Sequence, residues 1–367
     1  MKGIKNIFAG RWGIIGVGII IGILAPLLQK WGNPGNMGVC VVCFSRDIAG
    51  ALGLHRASVV QYIRPEIIGF VLGALIAALL FREFKPRTGS APLVRFLLGM
   101  FATFGALVFL GCPWRAYLRL AGGDGNAIFG ILGLAAGIGL GIVFLHSGYS
   151  LGRSRPAPTA VGWVMPAITL ALLVLLIAAP QFGRDSGGNP TGPIFFSTTG
   201  PGSQHAPLLI SLVVGLFIGF LAQRSRFCTV GAVRDAILLR DFRLLSGVVA
   251  LLVAAFVTNI IFGQFQPGFE KQPIAHTNSW WNFGGMVLAG LAFTLAGGCP
   301  GRQLFLAGEG DADSGLFIAG MVVGAGFAHN YSMASSAAGP GVFGPTVVIV
   351  GLIICVVFGL TMRDAKA

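Results

Sequence analysis

The sequence predicts an all-α polytopic membrane protein of about ten transmembrane helices plus re-entrant or broken helices, arranged as two inverted repeats. Three observations carry this expectation. Of 367 residues, 55% are hydrophobic and only 10% charged, against about 25% charged in soluble domains. Several runs of roughly 17 to 20 residues contain no charge, the length that crosses a hydrocarbon core. A cysteine-centred pattern in the first half recurs in the second about 187 positions later. The 57 glycines suit helices packed in lipid, where small residues let backbones approach.

The expected spans are residues 12–28, 67–81, 93–110, 128–145, 161–179, 208–222, 245–262, 283–296, 316–328 and 342–362. Charges between them are unevenly shared. With the N-terminus inside, 17 of the 25 Lys and Arg residues fall on the inner side, among them Arg82, Lys85, Arg87, Arg224, Arg226 and Arg243. Positive charge in cytoplasmic loops sets orientation, so both termini are expected in the cytoplasm and the chain in a bacterial inner membrane. The net charge of +13 is thereby an orientation signal, and no nucleic-acid partner is expected. Residues 1–11 form a short basic lead into the first span without a small-residue cleavage site. Trp12, Trp31, Trp163, Trp280 and Trp281 read as anchors at the membrane–water interface.

The longest polar stretch, 181–206, is rich in Gly, Pro, Ser and Thr and has turn chemistry without helical periodicity. It divides the chain into a first repeat at 1–180, an extracytoplasmic connector at 181–206 and a second repeat at 207–367. Cys40 is followed six residues later by Arg46-Asp47, and Cys228 six residues later by Arg234-Asp235. Gly111-Cys112-Pro113-Trp114-Arg115 recurs as Gly298-Cys299-Pro300-Gly301-Arg302. Five spans per repeat is an odd number, so the second copy enters from the opposite face, as in many transporters. Segments 35–54 and 226–239 are too short or polar to span and too apolar for ordinary loops. They are expected to re-enter the membrane, which is tolerated where backbone is buried in protein or lines a cavity.

The repeated motifs suggest a chemistry. Proline lacks an N–H and has a fixed φ, which suits the first position of a helix. Cys112 and Cys299 then stand at the caps, beside free N–H groups at the positive helix end, where anions bind. Arg115 and Arg302 fall in the first turn and add fixed charge and planar donors. A protonated thiol is soft and donates a weak hydrogen bond. The combination suits a small soft anion containing sulfur or selenium. The substrate-pathway candidates are therefore Cys40, Cys112, Cys228 and Cys299 with Arg46, Arg115, Arg234 and Arg302. Arg46 and Arg234 are equally readable as structural partners of Asp47 and Asp235. Cys40 and Cys43 form a Cys-x-x-Cys and are a candidate redox pair, although Gly231 stands where the second repeat would need a matching cysteine. Cys355 is unrepeated and reads as a small buried hydrophobe. The five histidines show no metal-ligand spacing. No metal, cofactor or acid–base dyad is expected, which points to a transporter more than an enzyme.

With these motifs in place, the chain resembles the YeeE/YedE family of membrane proteins over nearly its whole length. The stretch Asn33-Pro34-Gly35-Asn36-Met37-Gly38-Val39-Cys40-Val41-Val42-Cys43-Phe44 is similar to the YedE branch described as selenium transporters, and relatives in the wider family import thiosulfate. The resemblance implies a passage lined by cysteines that hand an anion inward through S–H···S contacts. It assigns that role to Cys40, Cys112 and Cys299; the repeat adds Cys228. The family motif often has glycine where the first copy has Trp114, so selectivity is expected at Trp114 and Gly301. The expected function is inner-membrane transport of a selenium species or a thiosulfate-like anion. The alternatives are a membrane thiol-redox carrier and a protein that delivers sulfur or selenium to a cytoplasmic acceptor protein.

Overall fold

Among the described residues, ten apolar runs become ten long helices, joined by four short ones. The computed structural model describes residues 7–178 and 194–363. Residue 179, the first part of the expected connector and Arg184 lie outside the described residues, as do Lys2, Lys5 and Lys366. The helices are α1 Arg11–Lys30, α2 Val41–Ala51, α3 Pro65–Leu80, α4 Pro92–Phe109, α5 Pro113–Ala121, α6 Asn126–His146 and α7 Thr159–Ala178. They continue with α8 Leu208–Ser225, α9 Thr229–Leu238, α10 Arg243–Ile261, α11 Ser279–Leu295, α12 Pro300–Gly308, α13 Ala312–Asn330 and α14 Gly344–Thr361. One pair of two-residue strands, β1 Arg87–Thr88 and β2 Arg155–Pro156, is antiparallel. Among the described residues, nine helical stretches are long and apolar enough to cross a membrane, and Pro65–Leu80 is a shorter apolar helix. The protein is a multi-pass, all-α membrane protein.

The order long, short, long, long, short, long, long occurs over α1–α7 and again over α8–α14. Packing follows the same exchange. The principal contacts are α1 with α10 and α8 with α3, then α6 with α11 and α13 with α4, and α4 with α11 at the centre. Each of the first four pairs becomes another of the four when the halves are swapped. Two glycines show why the pairs approach so closely. A Cβ at Gly18 would collide with the Gly247 carbonyl, and one at Gly73 with that of Leu216. Helix association in lipid depends on such small-residue contacts.

Local chemistry sets the breaks. Helix α4 ends when Leu110 turns left-handed (φ 64°), and Gly111 and an extended Cys112 lead to Pro113 at the start of α5. Helix α11 ends before a left-handed Gly297 (φ 89°), and an extended Cys299 leads to Pro300. Proline at a first helical position loses no hydrogen bond that the helix could have made. The four short helices have 9 to 11 residues, at 1.5 Å per residue about half a hydrocarbon core. Side chains such as Val164, Leu170 and Val174 on α7, and Ile349, Ile353 and Val357 on α14, are exposed. Those helices present an apolar outer surface, while α4, α11 and the short helices α2, α5 and α12 are central, and α9 is buried only in its first turn.

Candidate functional site

The four repeated cysteines come together as two pairs, each built where two short helices begin. Cys40 caps α2, and its sulfur accepts the Cys43 N–H at 3.4 Å. The Cys40 thiol donates toward the Cys112 sulfur at 3.6 Å, and Cys112 caps α5. In the second half Cys228 caps α9 and accepts N–H groups of Gly231 at 3.2 Å and of Cys299 at 3.3 Å. Cys299 caps α12 and accepts the Arg302 N–H at 3.4 Å. All four thiols are free and buried. Each pair thus sits at two positive helix ends, where the backbone already points N–H groups at sulfur.

Trp114 occupies the ground between the pairs. It lies two residues after Cys112, and its indole rests on Gly301, two residues after Cys299. A Cβ on Gly301 would meet Cε2, Cζ2 and Nε1 of that ring at 3.1 Å. The indole is fully buried and flanked by Phe70, Phe227 and Phe305, with ring centroids 6.0, 5.5 and 6.2 Å away. Its Nε1 has no hydrogen-bond partner among the described residues. The sequence singled out Trp114 and Gly301; the three phenylalanines were not singled out. Phe227 could have been, because it directly precedes Cys228.

The arginines separate into different duties. Arg46 donates to Asp47 Oδ1 through Nε (2.9 Å) and Nη2 (2.7 Å), and Arg64 Nε donates to Asp47 Oδ2 at 2.7 Å. Arg64 further binds the Gln204 and Pro201 carbonyls at 2.9 and 2.8 Å. Arg115 holds backbone: its guanidinium donates to the carbonyls of Leu110, Asn36, Pro273 and Ile274. Its Nη1 is also 3.9 Å from the Cys43 sulfur. Arg234 pairs with Asp235 at 2.8 Å and keeps 28% of its side chain exposed. Arg302 Nη1 stands 3.6 Å from Glu309 and makes no hydrogen bond among the described residues. Glu309 in turn receives Arg226 at 2.5 Å, and Arg226 also reaches Glu83 at 3.0 Å. Arg302 is therefore the motif arginine least tied down. Arg64 and Glu309 were not singled out in the sequence; an arginine directly before Pro65, and an acid seven residues after Arg302, are the signals that mark them.

Among the described residues no group of three or more His, Cys, Asp or Glu side chains could hold a metal ion. The thiols, the helix ends and the loosely held guanidinium are suited to binding an anion.

A bundle of paired long helices with cysteine-capped helix breaks at its centre defines a multi-pass membrane protein. Residues 224–357 match the family model described as Sulphur transport. The chain is 35% identical over 106 residues to the thiosulfate transporter TsuA of Escherichia coli (strain K12), which is 28% of this chain and 29% of that protein. It is 31% identical over 99 residues to the thiosulfate transporter TsuA of Spirochaeta thermophila, 27% of this chain and 29% of the relative. The chain thus spans less than a third of the length of the curated relatives it matches.

Proposed function

We propose that the protein transports a small sulfur- or selenium-containing anion, such as thiosulfate or its selenium analogue, across a bacterial inner membrane without making or breaking bonds in it. The carrying observation is the pair of thiol pairs at facing helix ends, Cys40 with Cys112 and Cys228 with Cys299. The similarity to thiosulfate transporters supports the substrate class. Helix directions support two entrances from opposite faces. Gly69 and Phe70 of α3 pack beside Gly215 and Gly219 of α8 in the same order along both helices. Successive spans α1 and α3 must run in opposite directions, so α8 opposes α1. The repeats are then inverted, 1–180 against 207–367, with both termini cytoplasmic and the Arg302 pair on the inner side. The anion passes from Cys40 and Cys112 to Cys228 and Cys299, and Arg302 meets it before release. Cytoplasmic acceptance by a sulfur or selenium carrier would follow release and is not needed for passage.

Uptake of radiolabelled thiosulfate into proteoliposomes tests this. Saturable uptake is expected, competed by selenosulfate and not by sulfate, and reduced at least tenfold in Cys112→Ala and in Cys299→Ala. Uptake that is equal in both variants and in wild type would remove the thiols from the path.

A further inference from the structure

We propose that Trp114 is both the barrier between the two thiol pairs and the hydrogen-bond donor that receives the anion as it crosses from Cys112 to Cys299. The donor half of this rests on the transport reading above; the barrier half does not. The two halves of the molecule supply equivalent positions, Trp114 and Gly301, two residues after each capping cysteine. Two large residues there would collide and two glycines would leave the centre open. One tryptophan lying on one glycine fills it. Phe70, Phe227 and Phe305 close the other sides, and the four rings share a single polar side-chain atom, the indole Nε1. That N–H is buried without a partner among the described residues, although buried indoles normally find one. It lies over the first turn of α12, next to the cap formed by Cys299. An unpaired buried donor is strongly disfavoured, and an anion at this point would satisfy it. A dry aromatic wall stops hydrated ions, while one well-placed N–H admits an anion that can replace its water by thiol and indole donors.

The test separates the wall from the donor. Wild type, Trp114→Phe, Trp114→Leu and Gly301→Ala are reconstituted into liposomes, and thiosulfate uptake and iodide leak are measured on the same vesicles. Trp114→Phe keeps an aromatic ring and removes the N–H, so uptake is expected to fall at least tenfold with iodide leak unchanged. Trp114→Leu removes the wall, so iodide leak is expected to rise at least tenfold. Gly301→Ala pushes the indole from its seat and is expected to lower uptake without unfolding the bundle. The difference in indole fluorescence between wild type and Trp114→Phe should change on adding thiosulfate. Uptake by Trp114→Phe within twofold of wild type overturns the donor role, and a leucine variant as tight to iodide as wild type overturns the barrier. If wild-type vesicles take up no thiosulfate, the transport reading falls, and the iodide measurement still decides the barrier.

Discussion

The two thiol pairs share a construction and differ in what surrounds them. Around Cys40 and Cys112 the cations are enclosed and satisfied. Asp47 joins Arg46 to Arg64 with side chains 0 to 3% exposed, and Arg115 is bound to four backbone carbonyls. Around Cys228 and Cys299 the corresponding groups are looser. The Arg234–Asp235 pair is 28% and 17% exposed, Arg302 faces Glu309 at 3.6 Å, and Arg226 is 43% exposed. Repetition has thus copied a backbone frame while leaving side-chain partners free to diverge. One half reads as a fixed framework, the other as a site with charge left to offer.

The sharpest way to break that contrast is to remove the same acid from both halves. Asp47→Asn leaves two buried guanidinium groups facing a neutral amide. Breaking a buried ion pair from one side costs about 3–5 kcal/mol, and the variant should unfold at a much lower temperature in detergent. Asp235→Asn breaks a partly exposed pair, and such pairs contribute about 0–1 kcal/mol. Thermal unfolding of the two variants side by side checks this; equal losses would mean that the halves are equally rigid.

The arginines give the next largest effect. Arg115→Gln removes the donor that binds together Leu110, Asn36, Pro273 and Ile274. Hydrogen bonds involving charged groups contribute about 1.5–3 kcal/mol each, so a loss of several kcal/mol in stability should accompany any loss of uptake. Arg302→Gln should leave the unfolding temperature nearly unchanged and still lower thiosulfate uptake several-fold. A variant at Arg302 that unfolds as readily as one at Arg115 would assign both to the framework.

Much of this fold was legible before any coordinates. The ten spans appear as uncharged runs, and the breaks appear because Gly-Cys-Pro can neither continue the preceding helix nor avoid starting the next. The spacing of Cys40, Cys112, Cys228 and Cys299 marks them as equivalent positions, and each caps a short helix. The duties of the arginines were not legible in the same way. Arg46 and Arg115 look like anion contacts because each stands near a cysteine. Their partners are set by tertiary packing: Arg64 reaches Asp47 across 17 positions, and Arg115 reaches Pro273 across 158. Likewise nothing local marks Phe70 and Phe305, two of 29 phenylalanines, as the walls around Trp114. Charge and hydrophobicity show that such residues are buried, but choosing which ones meet needs the crossing of helices far apart in the chain.

The smallest expected effect concerns the one cysteine near the site that the repeat does not copy. Cys43 stands where the second half has Gly231. Its backbone N–H binds the Cys40 sulfur, and the Gly231 N–H binds Cys228 in the same manner. The contact made equivalently in both halves is therefore supplied by the backbone and needs no thiol. Cys43→Ala should leave thiosulfate uptake within twofold of wild type, with a stability loss of about 1 kcal/mol for a small buried side chain. A thiol-redox carrier that uses Cys40 and Cys43 predicts the opposite: full loss of activity in Cys43→Ala, and a disulfide between the two recoverable from oxidised membranes. Cys40 is poised differently, with the Cys112 sulfur 3.6 Å away, so oxidation of native protein should yield a Cys40–Cys112 bridge first. Peptide mapping after mild oxidation distinguishes the two bridges, and the Cys40–Cys43 product would move the first-half site from passage to redox chemistry.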